Sequence, residues 1–101
     1  MSLQVVVSFE ARADLIEIAE WYDTAMPGLG DRLTDLLAPA IRPYTDFPLS
    51  APIYYRDLRK VLLSPFPVFA LFRVQPEHLL VIAIADARRS PRKIRRSLRS
   101  R

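Results

Sequence analysis

The amino-acid sequence predicts one α+β domain over residues 1–101, and the order of its periodic segments is the reason. A β-branched segment comes first, two segments with helical spacing follow, and three strand-like segments separated by proline and serine come last. We therefore expect an N-terminal strand, a helical hairpin and a three-strand antiparallel meander, with the hairpin packed on one sheet face. A short basic helix is expected to close the chain.

The first two elements are marked by a change of period. Residues 4–8, QVVVS, are β-branched and predict a short strand. From Ala11 onward, apolar residues recur three and four apart, as on one face of a helix, and MPGLG then ends the helix. The apolar positions are Leu15, Ile18, Ala19, Tyr22 and Met26.

A second apolar stripe predicts the partner helix of the hairpin. It consists of Leu33, Leu36, Leu37, Ala40, Ile41 and Tyr44. Pro39 and Pro43 fall inside this stripe, and an interior proline costs about 3 kcal/mol or kinks the helix. Because the stripe keeps its phase across Pro39, we expect a kinked or locally loosened helix and not two unrelated pieces.

Three strand-like segments follow, at residues 58–64, 68–74 and 78–86, with turn-forming residues between them. Their spacing predicts hairpins and hence an antiparallel meander. Residues 79–85 are apolar on both faces, so this segment is expected to be the central strand, covered by helices on at least one side.

Composition excludes several classes of site. The chain has no cysteine and one histidine, which excludes disulfides, thiolate chemistry and the usual zinc sites. We expect no metal and no cofactor. No basic leader precedes the first strand, and the longest apolar run has seven residues, against about 20 for a membrane helix. The sequence thus predicts a soluble cytoplasmic protein with no membrane partner.

Charge is distributed unevenly along the chain. Residues 1–86 carry seven basic and eleven acidic side chains, whereas residues 87–101, the basic block, carry eight basic and none acidic. Such a block favours phosphate backbones or an acidic partner, and the alternative is a solvated tail that aids solubility.

The order of elements and four segments together resemble the RelE/ParE superfamily of bacterial toxins, the toxin halves of type II toxin–antitoxin modules. The resemblance spans Val5 to about Leu98. Relatives commonly end the last strand in His, one residue, Arg-Arg, one residue and Pro, and here that stretch is Asp86 to Pro91. The four segments are ADLIEIAEWY, FPLSAP, RKVLLSPFPVFALFRV and VIAIADARRSP.

The end of the basic block is predicted to be an anchored helix. Ser90 suits a helix cap and Pro91 a first helical turn, while Ile94 and Leu98, four apart, could seal one face. Asp86 is expected to pair with Arg88, Arg89 or Arg59 and so to hold the start of the basic block in place.

The resemblance implies two alternative activities. RelE-like members cleave messenger RNA on the ribosome, which here would depend on Arg59, Arg88 and Arg89 as catalytic cations. Val61 and Phe69 stand where such enzymes place further cations, and no tyrosine follows Tyr55. ParE-like members poison DNA gyrase by binding, and this is the favoured hypothesis.

For the binding alternative, the residues expected to contact the target all lie in the basic block: Arg88, Arg89, Arg92, Lys93, Arg95 and Arg96. The resemblance further implies a cognate antitoxin that forms a hetero-oligomer with the chain and folds on binding. Exposed apolar residues of the hairpin and the sheet edge would receive it. A third alternative is a basic, nucleic-acid-binding relative without toxicity.

Overall fold

The computed structural model describes residues 2–101. The chain forms strand β1, helices α1 to α3, strands β2 to β5 and helix α4, with two 3-10 turns at residues 42–45 and 48–50. The elements are β1 Gln4–Val7, α1 Phe9–Ala25, α2 Leu29–Asp35, α3 Leu37–Ile41, β2 Ile53–Tyr55, β3 Leu58–Leu62, β4 Val68–Val74, β5 His78–Asp86 and α4 Pro91–Leu98.

All five strands form one mixed sheet in the order β1-β5-β4-β3-β2. The predicted antiparallel meander β3-β4-β5 is confirmed, and β1 lies parallel to β5. The prediction that residues 79–85 form the central strand is wrong, since β4 occupies the centre and β5 lies between β4 and the edge strand β1. The prediction missed β2, which adds a fifth strand beyond β3 and so moves the centre of the sheet to β4. This strand has three residues, too few for an alternating pattern to be recognised in the sequence.

The helical hairpin forms, with its second half divided. Helix α1 begins at Phe9, because the Ser8 hydroxyl accepts a hydrogen bond from the Ala11 N–H and caps the first turn. The second half breaks at Leu36 into α2 and α3. Pro39 has no N–H to donate to the carbonyl of Asp35, which accounts for the break. Leu33 and Ile41 are nonetheless both fully buried, so the stripe stays in phase as predicted.

Helices α1 and α2 approach closely at Gly30. Its N–H donates to the Asp23 carboxylate at 2.8 Å. A Cβ atom at this position would lie 2.5 Å from the carbonyl oxygen of Ala19, which is closer than carbon and oxygen can approach. Glycine is therefore the residue that permits this packing.

The sheet is covered on both faces. The hairpin packs on one face, as predicted, against residues that include Phe72 and Val81. On the other face, Ile94 and Leu98 of α4 pack against a cluster that includes Phe69 and Ile82. Coverage of both faces explains why β4 and β5 are apolar without alternation.

A bulge in β5 changes which of its side chains face the helical hairpin and which face α4. Leu71 pairs with Ala83 and Phe72 pairs with Val81, so Ile82 is an extra residue between them. As a result Ile82 and Ala83 both belong to the α4 side, while Val81 and Ile84 belong to the hairpin side.

The edge of β5 beyond β1 is closed by side chains. The pairing of β1 ends at Val7 and Val81, whereas β5 continues to Asp86. Beyond that point, Ile82 O accepts from Arg101 Nη1 at 3.3 Å, and the Ile84 N–H donates to Asp14 Oδ2 at 3.1 Å. Asp14 and Arg101 thus replace a missing strand neighbour.

Candidate functional site

The basic block begins with an arginine that is held in place. The Arg88 guanidinium contacts the Asp86 carboxylate through Nη2 at 2.6 Å and Nε at 2.9 Å, so the predicted pairing of Asp86 is confirmed for Arg88. Its Cζ lies 4.7 Å from the centroid of the Trp21 ring, and Nη2 reaches the Tyr22 hydroxyl at 3.4 Å. The hydrogen bond from Arg88 is the main reason why the pKa of Asp86 is lowered.

The basic block also ends with a held arginine. Arg101 and Asp14 form a two-point ion pair, with Nη2 to Oδ1 at 3.0 Å and Nη1 to Oδ2 at 2.5 Å. The side chains are 19% and 22% exposed. The hydrogen bonds that Arg101 donates to the Asp14 carboxylate raise the pKa of Arg101. We refer to this pair as the clasp, since it joins the end of the chain to α1.

Between these two arginines lie the exposed cations of the block. Within residues 2–101, no acidic side chain forms an ion pair with any of them. They are Arg89, Arg92, Lys93, Arg95, Arg96 and Arg99. The predicted target-binding residues other than Arg88 are therefore all unpaired and open to solvent.

Helix α4 presents four of these cations outward, Arg92, Lys93, Arg95 and Arg96. Pro91 occupies the first turn and Ile94 and Leu98 are 3% and 5% exposed, as the sequence predicted. Ser90 takes the N-cap position, but its side chain makes no capping hydrogen bond, which corrects that part of the prediction. Since the apolar face is turned to the sheet, the opposite face consists of charged and hydroxyl groups.

Arg59 lies apart from the cations of the basic block. Its Nη1 donates to the carbonyl oxygens of Leu49 at 3.0 Å and Ala51 at 2.7 Å. Arg59 lies opposite Phe72 of β4, and four residues further along β4 Val68 lies opposite Asp86. At about 3.3 Å per residue, this places Arg59 roughly 13 Å from Asp86 along the strand direction alone.

The other positions where the RelE-like activity needs cations are in the core. Val61 is 4% exposed and Phe69 is 2% exposed. Arg88 and Arg89 are adjacent in the chain, but the third predicted catalytic cation, Arg59, is separate from them. The three do not converge on one point where a phosphate could be attacked.

A cleft of about 670 Å³ lies between α1 and the C-terminal half of β5, beside the start of the basic block. Its lining combines an exposed indole, two apolar side chains and charges of both signs. Among the lining residues are Glu17, Ile18, Trp21, Ile84, Arg88 and Arg89. This cleft was not predictable from the sequence, because Trp21 is brought to the basic block only by the packing of α1 on β5.

A second concavity, the hairpin groove, is almost entirely apolar. It has a volume of about 420 Å³ and lies between the edge strand β1 and helices α2 and α3. The lining includes Val5, Val7, Leu15, Leu37, Ala38 and Ile41. Val5, which lines the groove, is 42% exposed although it is apolar.

No group of three or more metal-binding side chains occurs among residues 2–101. None of the helices in this range is both long enough and apolar enough to cross a membrane.

Comparison with known proteins adds one finding. Neither a family model nor a curated protein matches the sequence. Among solved structures, a chain described as "Chromosomal ParDE TA system from P. aeruginosa" superposes with a TM-score of 0.72. The match covers 84% of this chain and 96% of that chain, at 19% sequence identity. The protein has a ParE-like fold.

The ParE-like fold confirms the resemblance at the level of architecture. A match in fold does not identify functional residues in this chain. The sequence identified the basic block but missed Asp14, Trp21 and the role of Arg101. Asp14 and Arg101 are 87 positions apart, and no local pattern connects them.

Proposed function

We propose that this chain is the toxin of a type II toxin–antitoxin module and that it acts by binding, with DNA gyrase as its target. The ParE-like fold is the observation that carries the proposal, since the matched chain belongs to a ParDE system. The exposed cations between Arg88 and Arg101 supply the surface for this target, since gyrase works on a bound DNA duplex whose phosphates they could contact.

A binding mode is favoured over ribosome-dependent cleavage by the state of the predicted catalytic cations. Arg59 is engaged by two backbone carbonyls, Arg88 by a carboxylate and an indole, and only Arg89 is open. An in-line attack by a 2′-hydroxyl requires a proton acceptor and several cations at one phosphate. A poison that only binds has no such requirement.

The antitoxin is proposed to occupy the hairpin groove. The groove is apolar, and β1 beside it is an edge strand with a free hydrogen-bonding side, so an extended or helical arm could bury apolar anchors there. The substitution Ala38→Arg places a long cation in the groove, whereas Ala25→Arg places it on an exposed position at the end of α1 as a control. Co-expression with the small protein encoded beside the gene should give a stable complex for the control and none for Ala38→Arg.

Pulse labelling after induction in a bacterial host tests the target. Incorporation into DNA and into protein is followed over the first minutes. A fall in DNA synthesis that precedes any fall in protein synthesis supports gyrase. An early fall in protein synthesis, lost in Arg89→Ala, would instead support cleavage on the ribosome. Continued synthesis of both would contradict the toxin proposal.

A further inference from the structure

We propose that the outer face of α4 binds the phosphate backbone of a nucleic-acid duplex. This property depends on the surface of α4 alone, so it stands whether or not the chain poisons gyrase. Three observations carry it: what the face contains, how firmly it is held and how its charge is spaced.

Apart from Pro91 in its first turn, the face contains only cations and a hydroxyl group. The exposed side chains of α4 are Pro91 at its start, Arg92, Lys93, Arg95, Arg96 and Ser97. Ile94 and Leu98 are buried against the sheet. Protein interfaces are centred on buried aromatic or aliphatic anchors, and a membrane-bound helix inserts an apolar face. This face offers neither, whereas phosphates are bound by Arg, Lys and Ser without such anchors.

The face is held firmly from both ends. Arg88 with Asp86 fixes the chain before α4, and the clasp between Arg101 and Asp14 fixes the chain after it. The cations between them therefore occupy a helix whose position is set before any ligand arrives. A preorganised surface loses less conformational entropy on binding than a flexible tail of the same charge.

The charge density of the face suits a duplex. Helix α4 has eight residues, which gives a length of about 12 Å. Four cations lie within it, and Arg89 and Arg99 lie just outside its two ends. Each strand of a duplex carries one phosphate per about 3.4 Å of axis, or about four over the same length. The four cations within α4 therefore match the phosphates of one strand in number.

A single strand is a poorer fit. Proteins that hold single strands stack the bases on aromatic side chains. The outer face of α4 has no aromatic residue, and the nearby Trp21 already carries the Arg88 guanidinium over its ring. The structure therefore favours the regular backbone of a duplex over unpaired bases.

Fluorescence anisotropy with labelled 16-base-pair DNA and RNA duplexes tests the proposal. Four phosphate contacts predict a log–log slope of affinity against salt of about −3.6, a loss of about 150-fold between 50 and 200 mM NaCl. The combined variant Arg92→Gln, Lys93→Gln, Arg95→Gln and Arg96→Gln should weaken binding by more than about 100-fold at 50 mM and flatten the slope.

A charge-matched control separates this face from net charge. The variant Arg12→Gln, Arg32→Gln, Arg42→Gln and Arg56→Gln removes the same four charges from exposed positions elsewhere. Binding should survive in this control, and thermal melting should show that both variants fold. Binding of either duplex with the predicted slope supports the proposal, and comparing DNA with RNA tells which backbone is preferred.

Three results would overturn the inference. The first is equal weakening in the control, which would mean that net charge alone attracts the duplex. The second is tighter binding of oligothymidine than of duplex. The third is binding of polyglutamate as tight as that of DNA, which would make α4 a surface for acidic proteins.

Discussion

The clasp makes a quantitative prediction about stability. The substitution Arg101→Ala leaves the Asp14 carboxylate without its partner and removes one donor from the Ile82 carbonyl. Loss of one partner costs about 3–5 kcal/mol for a buried pair, whereas an exposed pair is worth about 0–1 kcal/mol. Since these side chains are 19% and 22% exposed, we expect an intermediate loss of roughly 1–2 kcal/mol.

Thermal and urea denaturation measure this loss. For a domain of this size, 1 kcal/mol corresponds to about 4–8 °C in Tm, so Arg101→Ala should melt roughly 5–15 °C lower than the unaltered chain. Arg99→Ala removes an exposed cation two residues away and is the matched control, with a change of less than about 0.5 kcal/mol expected. Asp14→Asn in combination with Arg101→Ala should add little to the loss. If Arg101→Ala and Arg99→Ala melted at the same temperature, the clasp would have no role in stability.

Three further substitutions, with four expected outcomes, concern other parts of the molecule. Replacing Arg88 by Ala uncovers Trp21, the one tryptophan of the chain, so its fluorescence should change in intensity and wavelength. The same substitution should also make the stability less sensitive to acid. Arg88 lowers the folded-state pKa of Asp86, so their ion pair stabilises the fold at pH values above the unfolded pKa of about 3.9. This stabilisation is lost as the pH falls through the folded-state pKa. Ile94→Ala should cost about 2–4 kcal/mol in urea denaturation by leaving a cavity under α4. Gly30→Ala should cost about 1–3 kcal/mol by the same measurement, because the added methyl meets the Ala19 carbonyl.

The strongly patterned parts of the fold were predictable from the sequence. β4 and β5 have the bounds that the sequence predicts, since long apolar runs between proline and polar turns define them locally. The terminal helix follows from Ile94 and Leu98, whose spacing matches one helical turn. Each of these elements is determined by residues within its own segment.

Features that depend on pairing between distant segments were not predictable. The parallel pairing of β1 with β5, the bulge at Ile82 and the three-residue strand β2 all arise from how strands meet in the sheet. In the candidate site, the cations were evident from composition. Which of these cations have side-chain partners and which are exposed was not predictable. The partners Asp14 and Trp21 come from α1, more than sixty positions away in the chain.

Gly30 has a consequence beyond stability. It fixes how near α2 lies to α1, and α2 and α3 form the outer wall of the hairpin groove while Leu15 of α1 lies in its floor. The width available to a partner is thus set by a residue that does not line the groove. A methyl group added between the two helices would thus change the shape of the groove while every residue that lines it stayed the same.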